Sequence, residues 1–411
     1  MFLNRPPQTL VGIVSTIVLL ATACSPAAQP APTSPPTAAP AAPKPTTAAA
    51  SPAASASPGA AAKPAASPSA AAASQAISIA GPLPNEAKNL TGAGATFPAP
   101  LYQKWFDEYV KLTQVQVNYQ AIGSGGGIKG IQDMTVDFGA SDAPMTDDQL
   151  KAATGGPIFH IPTALGAIVA TYNIPGVSAK LKFTGANLAA IFLGDVTKWN
   201  DPKLVADNPE LANVNQDIVV VHRSDGSGTT FGFTDYLSAV SPDWLQKVGK
   251  GTSINWPVGL GGNGNPGVAG EVQQNPNSIG YVELIYAIQN KLGYAQVKNK
   301  AGQWIDPSLD SVTAAAASMQ TIPPDLRFSI VDAPGPTAYP ISTATWLLAY
   351  KNLTDQSKAL ALTRLLWWAT HDGQKFNNDL AYATVPAALT AKSEEFIRQI
   401  NVEGVPALPA Q

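Results

Sequence analysis

From about residue 80 onward the sequence predicts an α/β fold of roughly two domains. Short apolar runs rich in β-branched residues alternate with stretches of helical periodicity, the pattern of strands interleaved with helices. Several junctions between them are rich in Gly, Ser and Thr, so strand repeatedly gives way to helix through a tight turn of small residues. A third observation bounds the foldable region. Residues 25–74 are almost only Ala, Pro, Ser and Thr and can bury no core.

Residues 1–24 read as an export signal. Arg5 sits in a short polar front, an apolar run follows from Leu10 to Ala21, and small residues precede Cys24. That run is shorter than the roughly 20 apolar residues a permanent membrane helix requires, so cleavage is expected. Leu20-Ala21-Thr22-Ala23-Cys24 resembles a bacterial lipobox with its leucine one position early, which implies lipidation at Cys24. Behind it, 25–80 reads as a disordered Ala/Pro/Ser-rich linker that its prolines keep extended. With the lipid this is a stalk; without it, a solubilising tail.

Composition narrows the classes of ligand. A net charge of -3 gives no sign of a nucleic-acid or polyanionic partner, and a small ligand is the expectation. Cys24 is the only cysteine, so the folded region can hold neither a disulfide nor a thiolate metal cluster. His160, His222 and His371 share no metal-ligand spacing, and neither a metal nor a cofactor is expected.

The most informative stretch is Ile218 to Phe231. Four β-branched residues, Ile218 to Val221, read as a buried strand, and Thr229 to Leu237 reads as a helix. The turn between them, Gly226-Ser227-Gly228, therefore presents free amides at the positive end of a helix dipole, where small residues let an anion approach. Arg223 adds a planar fork of donors, and Ser227 and Thr229 add hydroxyls. An ordinary helix start capped by Asp225 or Ser227, with Arg223 on the surface, fits the same residues.

Three earlier turns repeat the theme. Thr91 to Pro100 leads through Gly92, Gly94 and Thr96 into the amphipathic run Leu101 to Tyr109, with prolines where a missing amide costs little. Thr96 could equally be a helix cap and Phe97 a core anchor. Val115 to Ile122 reads as a strand entering Gly123-Ser124-Gly125-Gly126-Gly127, with Ser124 at the tip. Val136 to Met145 reads as a short strand and turn carrying Asp142, either a cap for a helix near Thr146 or a carboxylate set among anion-binding turns.

The order of these turns resembles one family, the phosphate-binding protein that feeds the bacterial ABC phosphate importer. The match is collinear from about Asn89 to the C-terminal region and includes Trp199-Asn200-Asp201-Pro202, the Arg223 to Phe231 stretch, Trp256-Pro257-Val258-Gly259, the Gly-Asn run at 261–265 and Ser278-Ile279-Gly280-Tyr281. Gly125, where the family often has Ala or Ser, and Met134, where it usually has Gly, depart from it. The resemblance implies a two-domain clamp of the periplasmic-binding-protein type with two inter-domain crossovers, near Thr163–Ala167 and Thr337–Ile341. Residues 85–165 and 337–411 would form domain I and 166–336 domain II.

Carried over by position, Thr96, Phe97 through its amide, Ser124 and Asp142 would contact phosphate from domain I. Arg223, Ser227, Gly228 and Thr229 would do so from domain II, with Asp225 holding the Arg223 guanidinium. The resemblance further implies a monomer that is not an enzyme, lipid-anchored on the outer face of the cytoplasmic membrane and delivering inorganic phosphate to the importer's membrane subunits. Two alternatives stay open: a receptor for another tetrahedral oxyanion, and a serine-type hydrolase or phosphatase using Ser227 with His222 and Asp225.

Overall fold

The computed structural model describes residue 77 and residues 79–408. The expected export signal, Cys24 and nearly all of the expected linker lie outside the described residues. In the described part, strands and helices alternate as the apolar patterning requires. β1 (Asn89–Gly94), β2 (Gln116–Ala121) and β3 (Phe138–Ser141) are parallel, with β1 in the middle. The long β4 (Ile158–Asn173) follows. β5 (Lys182–Phe183) belongs to a small separate sheet. β6 (Val219–Arg223) lies parallel to both β7 (Leu260–Gly262) and β8 (Ser278–Glu283). β9 (Gly293–Tyr294) adds to β4, β10 (Gln296–Lys298) and β11 (Trp304–Ile305) join β5, and β12 (Ser342–Tyr350) lies antiparallel between β3 and β4. The main sheet runs β2-β1-β3-β12-β4-β8-β6-β7.

β4 organises this sheet. Its 16 residues are buried almost throughout, and it pairs with β12 over Ile158 to Ala167 and then with β8 over Ile168 to Asn173. At the change of partner, the Ile168 amide donates to the carbonyl of Ile341, so the chain's return passes beside the same point. One strand therefore serves a β12 side and a β8 side of the sheet. Its ladder with β12 skips Thr163: Trp346 stands opposite Pro162 and Thr345 opposite Ala164. Pro162 has no amide to give the ladder, which is where a bulge is tolerated.

Each parallel strand of the main sheet except β3 leads directly into a helix: Ala99–Thr113 after β1, Ser124–Gln132 after β2, Gly228–Val240 after β6, Gly264–Gln274 after β7 and Leu284–Gln289 after β8. The carboxyl ends of two parallel sets thus deliver helix N-termini, the usual location of a ligand site in such sheets. Helix Ala99–Thr113 has proline in its first turn and buries Leu101, Tyr102, Trp105, Phe106 and Tyr109. Burial of side chains of this size contributes about 1.5–3 kcal/mol each, so this face fixes where the preceding turn is held.

The folded chain starts earlier than the sequence indicates. Ile79, inside the expected linker, is only 8% exposed and joins the core. Arg364, fully buried in helix Gln356–Thr370, donates to Glu86 at 2.5 Å and to the carbonyls of Ile79 and Gly81 at 3.0 Å each. A buried ion pair therefore ties residues 79–86 down, with no signal in the local composition.

Candidate anion-binding site

The turns singled out in the sequence meet at the carboxyl ends of the parallel strands. Thr96 and Phe97 follow β1, Ser124 follows β2 and Asp142 follows β3; Arg223 ends β6, and Ser227, Gly228 and Thr229 follow it. The two groups touch directly. Ser124 Oγ accepts hydrogen bonds from the amides of Gly228 (3.0 Å) and Asp142 (3.2 Å), and the Gly125 amide donates to the Gly226 carbonyl at 2.8 Å.

Glycine is required at this contact. A β-carbon on Gly228 would lie 2.6 Å from Ser124 Oγ and 2.7 Å from Asp142 Cβ, while Gly123 has φ 91° and faces an Asp225 carboxylate oxygen. Side chains at either position would hold the turns apart.

Arg223 is buried, and its Nε and Nη2 donate to the two carboxylate oxygens of Asp225 at 2.7 and 2.5 Å. This bidentate pair fixes the guanidinium plane, leaving Nη1 near Thr229 Oγ1 at 3.4 Å. Burial alone would raise the Asp225 pKa, but the bonds and charge of Arg223, with a further bond from the Gly264 amide, outweigh it and hold the carboxyl below its usual value. The surface placement considered for Arg223 is therefore wrong.

Asp142 behaves oppositely. It is 1% exposed, and burial pushes its pKa up to about 7 against the opposing effects of Thr345, whose hydroxyl donates to Oδ1 at 2.8 Å, and of Arg223 and Ser124. Such a group can hold or release a proton near neutrality. It does not cap the next helix, because Thr146 forms a capping box with Gln149 there.

Thr96 is not a cap either. Helix Ala99–Thr113 has Pro98 at that position, while Thr96 Oγ1 accepts from Asn265. The Thr96 carbonyl accepts from Tyr286 Oη at 2.5 Å and the Phe97 carbonyl from Tyr382 Oη at 2.6 Å. Since carbonyl and amide point oppositely across a trans peptide, the first of these bonds turns the Phe97 amide away from Tyr286. Phe97 also buries its ring, edge-on to Tyr382. Ser227 does cap its helix, accepting from the Thr230 amide at 3.0 Å.

The nucleophilic arrangement is not assembled. His222 stacks on Trp256 at 4.8 Å, and its Nδ1 lies 3.0 Å from the carbonyl of Arg223, with no hydrogen bond to Ser227 among the described residues. Asp225 is committed to Arg223.

Several site residues escaped the sequence reading. Asn265 is fully buried between Thr96 and Thr229, and Tyr281 Oη accepts from the Arg223 amide at 3.1 Å. Both lie in segments that the family pattern includes, so position could have flagged them. Thr345 has no such signal, since it reaches Asp142 only through the pairing of β12 with β3.

The chain is 44% identical over 309 residues to the phosphate-binding protein PstS of Xylella fastidiosa (strain 9a5c), a match spanning 75% of this chain and 84% of that one. The chain belongs to the PstS phosphate-binding protein family. PstS of Haemophilus influenzae is likewise 44% identical, over 75% of this chain and 93% of the relative. A family model described as a PBP superfamily domain matches residues 47–365. Among solved structures, a high affinity periplasmic phosphate-binding protein, PfluDING, bound with phosphate, superposes with a TM-score of 0.60 at 20% identity, over 75% of this chain and 93% of the other. That likeness establishes a mixed α/β fold of the periplasmic-binding-protein kind, and the identity to PstS relatives places this chain in the family.

Proposed function

We propose that this PstS-family chain binds inorganic phosphate outside the cytoplasm and hands it, chemically unchanged, to the membrane subunits of an ABC-type phosphate importer. The observation that carries this reading is the meeting of Ser124, Asp142 and the Gly228 helix start beside Arg223. A hydroxyl, a poised carboxyl, helix amides and a guanidinium from two sides of the sheet converge at one buried place. The contacts are Thr96, the Phe97 amide, Ser124 and Asp142 from the β12 side, and Arg223, Ser227, Gly228 and Thr229 from the β8 side, with Asp225 orienting Arg223.

In this reading the two sides are the domains of a clamp, hinged where β4 changes partner and where the chain returns near Ile341. The bonds from Gly228 and Gly125 across the junction then describe the closed form. The Asp142 carboxylate accepts a hydrogen bond from the proton that phosphate retains at neutral pH. Fully deprotonated sulfate has none to give and would oppose the carboxylate. Another tetrahedral oxyanion carrying a proton would satisfy the same groups.

The export signal and lipobox-like segment support anchoring of a monomer through Cys24 to the outer face of the cytoplasmic membrane, with the Ala/Pro/Ser-rich segment as spacer. A Cys24→Ser chain should leave the membrane fraction or remain unprocessed. Mature-sized variant retained in membranes like the parent would rule the anchor out. For the site, purified full chain should bind labelled phosphate in a one-to-one ratio and release none of the chromophore from a chromogenic phosphate ester. Turnover of the ester would favour a hydrolase.

A further inference from the structure

Asn265 is the second residue of the helix that follows β7 and is fully buried. Its side-chain orientation is fixed by the partner of its oxygen: Oδ1 accepts from the Glu283 amide at 2.9 Å, and a backbone amide can only donate. Nδ2 must therefore face the other way, where its two hydrogens serve Thr96 Oγ1 at 3.0 Å and Thr229 Oγ1 at 3.1 Å. The backbone amide of Asn265 donates to Thr96 Oγ1 as well, at 3.0 Å.

The consequence for the two threonines follows from counting lone pairs. A hydroxyl has two acceptor sites and one hydrogen. Both acceptor sites of Thr96 are filled by Asn265. Those of Thr229 face Nδ2 of Asn265 and, at the longer distance of 3.4 Å, Nη1 of Arg223. Each hydroxyl is left with its hydrogen as its unused capacity, so each can only donate to whatever occupies the site. An oxyanion needs donors, and a hydroxyl free to rotate would supply them less reliably.

Resting on the phosphate reading above, we propose that Asn265 is a positioning residue: it commits the hydroxyls of Thr96 and Thr229, which lie on opposite sides of the junction, to donate to the bound anion. It also joins those sides, since its partners Thr96 and Thr229 follow β1 and β6. This role needs no contact between Asn265 and the ligand.

A double-mutant cycle in the full chain tests it. Phosphate affinity is measured by calorimetry for the parent, Asn265→Leu, the Thr96→Val/Thr229→Val pair, and the triple variant, with thermal melts of the phosphate-free proteins as a check on folding. Asn265→Leu keeps most of the volume and should weaken phosphate binding by about 30-fold or more in the parent, but by less than about threefold when both hydroxyls are already absent. Equal losses on both backgrounds would reduce Asn265 to a structural residue and overturn the proposal. Should Asn265→Leu fail to fold, Asn265→Ala completes the same cycle with the same two readings. A parent that does not bind phosphate would instead defeat the functional reading, and unchanged affinity in the valine pair would remove both hydroxyls from the site and the inference with them.

Discussion

Ser124 and Gly228 are 104 positions apart, yet the Gly228 amide donates to the Ser124 hydroxyl at 3.0 Å. This bond joins the turn after β2 to the helix start after β6, so the two halves of the site are held in contact through a hydroxyl and a backbone amide. Nothing larger than hydrogen fits at Gly228, whose β-carbon would meet Ser124 and Asp142 at 2.6 and 2.7 Å. Gly228→Ala should therefore keep the fold, because the residue is helical, and prevent closure. Small-angle scattering of this variant should give the same radius of gyration with and without phosphate, while the parent compacts on adding it.

In the proposed site Arg223 is the cation, and Asp225, bonded to its Nε and Nη2, orients it. Charge-assisted hydrogen bonds contribute roughly 1.5–3 kcal/mol each, so Arg223→Ala should weaken phosphate by at least about tenfold in calorimetry. Arg223→Lys keeps the charge but not the two-pronged bond to Asp225, and should lose most of the same affinity. Parent-like binding in the lysine variant would mean that charge alone matters.

The poise of Asp142 has a consequence for stability without ligand. Its carboxyl titrates near 3.8 in an unfolded chain and at about 7 in the fold. Within that window the folded chain retains a proton that the unfolded chain has released, so its contribution to stability falls as pH rises. The loss is on the order of 4 kcal/mol at most across the window. Asp142→Asn should flatten this part of the profile in denaturant unfolding of the phosphate-free protein.

At the other end of the molecule, Glu86 neutralises the buried Arg364. Removing one member of such a pair strands the other charge, and Glu86→Ala should cost about 3–5 kcal/mol in unfolding free energy while leaving phosphate affinity nearly unchanged in the folded fraction. Deleting residues up to 88 should be similarly damaging, since it removes Glu86 together with the Ile79 and Gly81 carbonyls that Arg364 uses. Equal melting temperatures of parent and variant would show that the pair contributes nothing.

The site was legible in the sequence where its chemistry is local. Gly-Ser-Gly after an apolar strand, the glycine run around Ser124 and the small-residue turn holding Thr96 each announce themselves within about ten residues. What was hidden depends on partners remote in sequence. The resemblance put a crossover near Thr163–Ala167, but that β4 is one continuous strand shared by both sides rests on its pairing with β12 and β8. Thr345 meets Asp142 across 203 positions, and Arg364 meets Glu86 across 278. Local pattern left Thr96 and Asp142 readable also as caps, because a hydroxyl or carboxyl before a helix looks the same in sequence whether or not it turns toward that helix.

The most direct test of the account is the ratio of phosphate to sulfate affinity as a function of pH, in the parent and in Asp142→Asn. Phosphate keeps a proton for the Asp142 carboxylate, whereas sulfate can bind well only if Asp142 itself takes one up, which becomes costlier above a pKa of about 7. The ratio in the parent should therefore rise by up to about tenfold per pH unit above neutrality, and Asp142→Asn should abolish the rise. A parent ratio that does not change with pH, or a variant that discriminates as strongly as the parent, would contradict the assignment of Asp142 as the group that reads the ligand's proton.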